Sequence, residues 1–169
     1  AHIANYMLVV ARTKEEKHKE EGITLFLVDT WSPGIKLTPL KTIGSDKQFE
    51  VVFHNVKVPK KEILGKQDHG WAIIKDMIPK ATLAQCAYMV GGAQQVLEMT
   101  VNYAKERVQF GRPIGSFQAI QHKCANMVTD VDGARFVTYQ AAWKMAEGLP
   151  CSLEVSMAKA WVSEAYRRT

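Results

Sequence analysis

The chain has 169 residues, of which 47% are hydrophobic and 23% charged, with a formal net charge of +5. This is ordinary globular composition, rich enough in apolar residues to bury a core and too mixed in charge for a disordered tail. The 22 basic residues are spread along the chain and lack an accompanying aromatic or basic motif, so the charge favours anionic small molecules or proteins and gives no case for nucleic acid.

Three cysteines, Cys86, Cys124 and Cys151, are far apart and lack metal-ligand spacing. Cys86 and Cys124 fall on apolar helical faces and read as small buried hydrophobes, and the set points to a reducing compartment with no metal site. No stretch approaches the roughly 18 apolar residues of a membrane span, and no signal-like segment opens the chain. The chain starts at Ala1 and stops at Arg167-Arg168-Thr169 inside a helical pattern, which reads as a piece of a longer polypeptide.

Residues 3–12 are β-prone, and the charged run 14–22 ending in Gly22 reads as a solvated hairpin loop. Ile23 to Asp29, Ile35 to Leu40 and Phe49 to His54 follow as further strands, separated by polar turns such as Ser32-Pro33-Gly34. They predict an antiparallel sheet or partial barrel of about 60 residues. His54 stands alone in its strand and reads as a surface or hydrogen-bonded residue.

Past Gly65 the period changes. Cys86, Val90, Ala93, Leu97, Val101 and Ala104 step by three or four, opposite Gln94, Gln95, Glu98, Asn102, Lys105 and Glu106, which predicts a long amphipathic helix. Gly91-Gly92 inside it would be compensated by a close helix crossing. A glycine- and proline-bearing turn follows, with Arg107, Gln109 and Gln118 off the apolar stripes. Ser116 reads as the N-cap of a second helix with the stripe Phe117, Ile120, Cys124, Met127, Val131, Ala134, Thr138, Ala141 and Met145. Gly148 ends that helix, and Pro150 and Ser152 set up a third with an apolar face of Met157, Ala160, Trp161 and Ala165. Strands then helices make the fold α+β: an antiparallel sheet or partial barrel followed by an up-down helical bundle.

The string from Tyr103-Ala104 through Arg107, Gln109-Phe110-Gly111, Pro113-Ile114, Phe117-Gln118 and Gln121 to Ala125 and Met127, with Ala134-Arg135 further on, resembles the C-terminal helical domain of the acyl-CoA dehydrogenases. Upstream, Gly34, Leu37, Ile43-Gly44, Phe53, Val56, Val58-Pro59, Ile63-Leu64-Gly65 and Gly70-Trp71 resemble the end of that family's middle β-domain and its entry into the helices. The resemblance implies residues 1–65 as the end of the β-domain and 66–169 as the first part of the helical domain. It implies an FAD cofactor, an acyl-CoA substrate undergoing α,β-dehydrogenation, a homodimer or homotetramer, and an electron-transferring flavoprotein as partner. The expected location is a bacterial cytoplasm or a mitochondrial matrix.

Carried over by position, Arg107 and Gln118 would hold the pyrophosphate and adenylate portion of FAD, reaching it from the neighbouring subunit, with Gln109 and Phe110 adjacent. On charge alone Arg107 would instead pair with Glu106, Glu98 or another helix. The family's Asp-x-x-Arg segment, which contacts acyl-CoA, reads Pro79-Lys80-Ala81-Thr82 here and leaves Thr82 as the substrate-side residue. The subgroup with its catalytic glutamate on this helix would need it at position 81, which is Ala81. The resemblance therefore implies a base in a later loop, beyond Thr169, and no catalytic residue within the chain. Two alternatives stand beside this reading: an acyl-CoA oxidase or flavin monooxygenase on the same fold, and a non-catalytic module that oligomerises through the 117-to-145 stripe.

Overall fold

Alternation of apolar and polar residues shapes the first part of the chain. The structure is a computed structural model and describes residues 1–44 and 46–169. Strand β1 (Tyr6–Arg12) pairs antiparallel with β2 (Ile23–Asp29) in a register running from Tyr6↔Asp29 to Arg12↔Ile23. A two-residue strand, β5 (Ile63–Leu64), adds to the far side of β2, while β3 (Ile35–Pro39) and β4 (Phe49–Phe53) form a separate antiparallel pair. The expected sheet is thus two sheets. β5, at two residues, is too short to carry a period in the sequence. Leu25 and Val28 of β2 are buried, and His54 is exposed, as expected of a strand-edge imidazole. Thr24, fully buried, joins its hydroxyl to that of Thr13 at 2.5 Å and accepts the Asp68 backbone N–H at 2.8 Å, tying the hairpin to the segment that leads into the helices.

The chain divides into two compact units, residues 1–76 and 77–169. Three helices follow the strands: α1 (Trp71–Glu106), α2 (Gln118–Ala146) and α3 (Ser152–Arg168). α1 starts well before the expected onset near Cys86 and carries Pro79 within it. A proline inside a helix costs roughly 3 kcal/mol locally, but it deletes one hydrogen bond among many in a 36-residue helix. The expected cap at Ser116 is not made. Phe117 occupies the N-cap position without a side-chain cap, and Ser116 donates its hydroxyl to the Pro113 carbonyl at 2.7 Å.

Helices α2 and α3 run antiparallel, as two ion pairs between them show. Near one end Lys144 binds Glu154; at the other, Arg168 binds Asp130 through two nitrogens at 2.7 and 3.0 Å. Their core combines Cys86 and Met89 of α1, Ala134 and Ala141 of α2, and Val155, Ala158, Val162 and Ala165 of α3. A second cluster joins Ala93 and Leu97 to Val131. Every residue of the expected α2 stripe is buried or half-buried, so that face contributes to the core of the unit. The expected α3 face is wrong in part. Met157, Ala160 and Trp161 are exposed, and the inward stripe is Val155, Ala158, Val162 and Ala165. Small side chains face in because they let helix axes approach, and Arg168 lies over the outward Trp161 ring at 5.7 Å. The glycine pair divides: a Cβ on Gly92 would meet the Tyr166 ring of α3 at 2.8 Å, so this glycine makes room for a side chain and not for a helix backbone, while Gly91 faces open space.

The ion pairs make the α2–α3 contact acid-sensitive. Hydrogen bonds from Arg168 and from Lys144 hold the carboxyls of Asp130 and Glu154, respectively, below the usual range. A depressed folded pKa means that the folded state binds fewer protons than the unfolded state in acid. The stabilisation is complete above the unfolded values near 4 and is lost as pH falls through the folded ones. Full-length wild type should therefore melt above an Asp130→Asn, Glu154→Gln double variant at pH 7, with the gap closing toward pH 3. A gap unchanged at pH 3 would show that the pairs do not act this way.

Candidate functional site

The turn between α1 and α2 is built to display side chains. After Glu106 the Arg107 N–H still reaches the Tyr103 carbonyl at 2.8 Å, then the chain folds into a minimal hairpin. Its strands are β6 (Val108–Gln109) and β7 (Arg112–Pro113), paired Val108↔Pro113 and Gln109↔Arg112. The two-residue loop is Phe110-Gly111, with φ of +55° and +77°. Positive φ at both central residues is the signature of a type I′ hairpin, which ordinarily selects Asn-Gly. Proline at position 113 donates nothing to the ladder, so the next N–H, of Ile114, binds the Arg107 carbonyl at 2.8 Å and closes the base of the hairpin. A 3₁₀ turn, Ile114–Ser116, leads into α2, and Gln121 Nε2 donates to the Gly115 carbonyl at 3.0 Å.

The structure brings Arg107, Gln109, Phe110 and Gln118 onto this one turn, and all four are exposed. Among the described residues, Arg107, Gln109 and Gln118 make no side-chain hydrogen bond or ion pair. The salt bridge that charge alone suggested for Arg107 is not formed; Glu98 instead accepts from Gln94 at 2.7 Å. The Phe110 ring is 91% exposed. A guanidinium with five donors, two primary amides and an apolar ring, none engaged in hydrogen bonds within the unit, suit a ligand that is anionic at one end and flat and apolar at another.

Two further residues belong to this turn. Arg112 places its guanidinium carbon 4.3 Å from the centroid of the Phe117 ring, and Phe117 meets Phe110 edge to face at 6.1 Å. Their signal in the sequence was a cation and an aromatic flanking a turn that already held an aromatic. In the sequence Phe117 reads simply as the first residue of the α2 stripe, and the contact belongs to the folded turn.

Thr82 stands apart. Twenty-five positions along α1 from Arg107, it lies roughly 35 Å away at the helical rise. It lines a groove of about 510 Å³ with Ile78 and Pro79 of α1 and Ser152, Val155 and Lys159 of α3, in which Lys159 Nζ donates to Ser163 Oγ at 2.7 Å. Ala81 is exposed and offers no carboxylate. Cys86 is wholly buried, and burial pushes its thiol up, which makes it a packing residue. Among the described residues no His/Cys/Asp/Glu group could hold a metal, and no helix is long and apolar enough to cross a membrane.

Residues 68–169 match the family described as "Acyl-CoA dehydrogenase, C-terminal domain". The mitochondrial short/branched chain specific acyl-CoA dehydrogenase of Bos taurus is 38% identical over 167 residues, which span 97% of this chain and 38% of the bovine protein. The structure of butyryl-CoA dehydrogenase from Megasphaera elsdenii superposes with a TM-score of 0.90 at 32% identity, covering 97% of this chain and 43% of that one. The structure of PigA with FAD and proline superposes with a TM-score of 0.88 at 30% identity, covering 98% of this chain and 44% of that one. The chain thus spans under half the length of these relatives.

Proposed function

The chain belongs to the acyl-CoA dehydrogenase family, and from that premise we propose that the protein it comes from is an FAD-dependent acyl-CoA dehydrogenase that introduces an α,β double bond into an acyl-CoA thioester. The observation that carries the cofactor assignment is the cluster of Arg107, Gln109 and Gln118 beside an exposed Phe110, with no internal partner for the three polar side chains. In this reading residues 1–65 end the middle β-domain, and 66–169 begin the helical domain. Arg107 gives forked donors to the cofactor's phosphates, Gln118 gives amide bonds toward its adenylate end, Gln109 supplies a further amide, and Phe110 presents an apolar wall. The turn reaches an FAD held mainly by the partner subunit of a homodimer or homotetramer, with an electron-transferring flavoprotein as the electron partner.

Bound FAD supplies the hydride acceptor for the thioester. This chain's own contribution is to bind and orient the nucleotide end. The carboxylate that takes the α-proton lies outside these residues, so the stretch alone is inactive. Thr82 lines a groove with Pro79, and in this reading it is the residue on the acyl-CoA side.

The test is to purify the full-length protein and add acyl-CoA without oxygen. Yellow protein bleached by acyl-CoA is expected, with no peroxide formed when air is admitted alongside an electron-transferring flavoprotein. Colourless protein that does not take up FAD on reconstitution would overturn the reading. The segment Pro79-Lys80-Ala81-Thr82 favours a second reading, an acyl-CoA oxidase or flavin monooxygenase on the same fold, because the charged pair expected there is missing. Rapid reoxidation with peroxide or an oxygenated product would select it. Gln118→Ala should weaken FAD binding about two- to tenfold, the worth of a neutral amide bond of roughly 0.5–1.5 kcal/mol. Fluorescence titration of the apo-protein reads this, and unchanged affinity would remove Gln118 from the site.

A further inference from the structure

Phe110 is an unlikely residue for its place. It is a bulky side chain at φ +55°, in a hairpin position that ordinarily selects asparagine or glycine, and its ring is 91% exposed. Such a conformation persists only where the surroundings over-determine it, and it recurs at ligand clamps. Here the surroundings are a short relay. The guanidinium of Arg112 stacks over Phe117 at 4.3 Å, and the Phe117 and Phe110 rings meet edge to face, their centroids 6.1 Å apart and their planes at 87°. Phe117 is half-buried at the head of α2, its backbone N–H bonded to the Ile114 carbonyl at 3.0 Å, so the ring it presents is anchored. Arg112 is held one strand residue from the loop by the Gln109↔Arg112 pairing.

We propose that Phe117 and Arg112 are positioning residues for the cofactor: through the edge-to-face contact they hold the Phe110 ring out from the hairpin as a preformed apolar platform for the nucleotide end of FAD. This rests on the assignment of the turn to FAD made above. The relay accounts for an exposed aromatic that the fold itself does not need. Asn or Gly at position 110 would suit the hairpin better, so the phenylalanine serves the ligand at some expense to the turn. A cation over one ring face also leaves that ring less free to rotate, which lowers the ordering cost when a ligand arrives.

The experiment is a double-mutant cycle on the full-length apo-protein, read by FAD titration and by melting temperature. Phe117→Leu should weaken FAD about three- to tenfold, or roughly 0.7–1.4 kcal/mol, while Phe117→Tyr, which keeps the ring, stays within twofold of wild type. In a Phe110→Ala background Phe117→Leu should change FAD affinity less than twofold, because its route to the ligand is already gone. Phe110→Asn should lose FAD affinity while the apo-protein melts at or above the wild-type temperature. Arg112→Met, at an exposed position, repeats the cycle if Phe117→Leu does not fold. Additive effects of positions 110 and 117, or wild-type affinity in Phe117→Leu, would overturn the positioning role. Arg107→Ala in the same titration separates the two readings. Wild-type affinity there sinks the FAD assignment itself; weakened binding there beside additive effects at 110 and 117 sinks the relay alone.

Discussion

Replacing Arg107 with Ala in the full-length protein should loosen FAD by roughly 10- to 100-fold while leaving the melting temperature of the apo-protein nearly unchanged. The magnitude follows from the loss of charge-assisted hydrogen bonds worth about 1.5–3 kcal/mol. The selectivity follows from the structure. Arg107 is exposed and has no side-chain partner among the described residues, so the apo-fold loses no ion pair when it is removed. Its backbone, which holds the hairpin through the Tyr103 and Ile114 bonds, is unaffected by the substitution. Arg107→Lys should recover only part of the affinity, because a point charge cannot reproduce the fork of a guanidinium. An apo melting temperature that falls as steeply as FAD affinity would assign Arg107 to the fold; equal FAD affinity in wild type and variant would remove it from the cofactor.

The same contrast explains what could be read before the structure. Long periodic helices are legible because each buried position is repeated by its neighbours: all nine residues of the α2 stripe, from Phe117 to Met145, are buried or half-buried. α3 is shorter and apolar on two faces, so hydrophobicity pointed to Met157 and Trp161, whereas close packing selected Ala158, Val162 and Ala165. Ser116 looked like a cap, yet the 3₁₀ turn directs its hydroxyl backward to Pro113. At the candidate site, Arg107, Gln109 and Gln118 were visible as polar residues off the apolar stripes. That none of them has an internal partner is a property of three-dimensional placement, and no spacing rule carries it. The contact between Phe110 and Phe117 is hidden for a related reason: an aromatic at a helix start reads as core, and only the folded turn shows that the ring it meets faces solvent.

Gly115→Ala should produce the opposite signature to Arg107→Ala, lowering stability and FAD affinity together. The backbone of Gly115 passes so close to the end of α1 that a Cβ built there would lie 2.9 Å from the Ala104 carbonyl oxygen and 3.3 Å from its carbon. Those are backbone atoms of a helical residue that is 5% exposed, and they cannot swing aside as a side chain would. The turn must shift instead, at a cost of about 1–3 kcal/mol typical of overpacking. The shift would propagate both ways, because Gly115 lies between the hairpin that carries Arg107 and Phe110 and the start of α2 that carries Gln118, and its carbonyl is held by Gln121. Cofactor groups on two elements would lose their mutual placement, and displacement of even about 1 Å is enough to cost a preorganised site much of its affinity. Melting and FAD titration of the apo-protein should therefore fall in parallel for Gly115→Ala and separately for Arg107→Ala. A Gly115→Ala protein that melts and binds FAD like wild type would mean that the turn tolerates displacement from α1, and that the close approach of the turn to the Ala104 backbone is not what aligns the clamp.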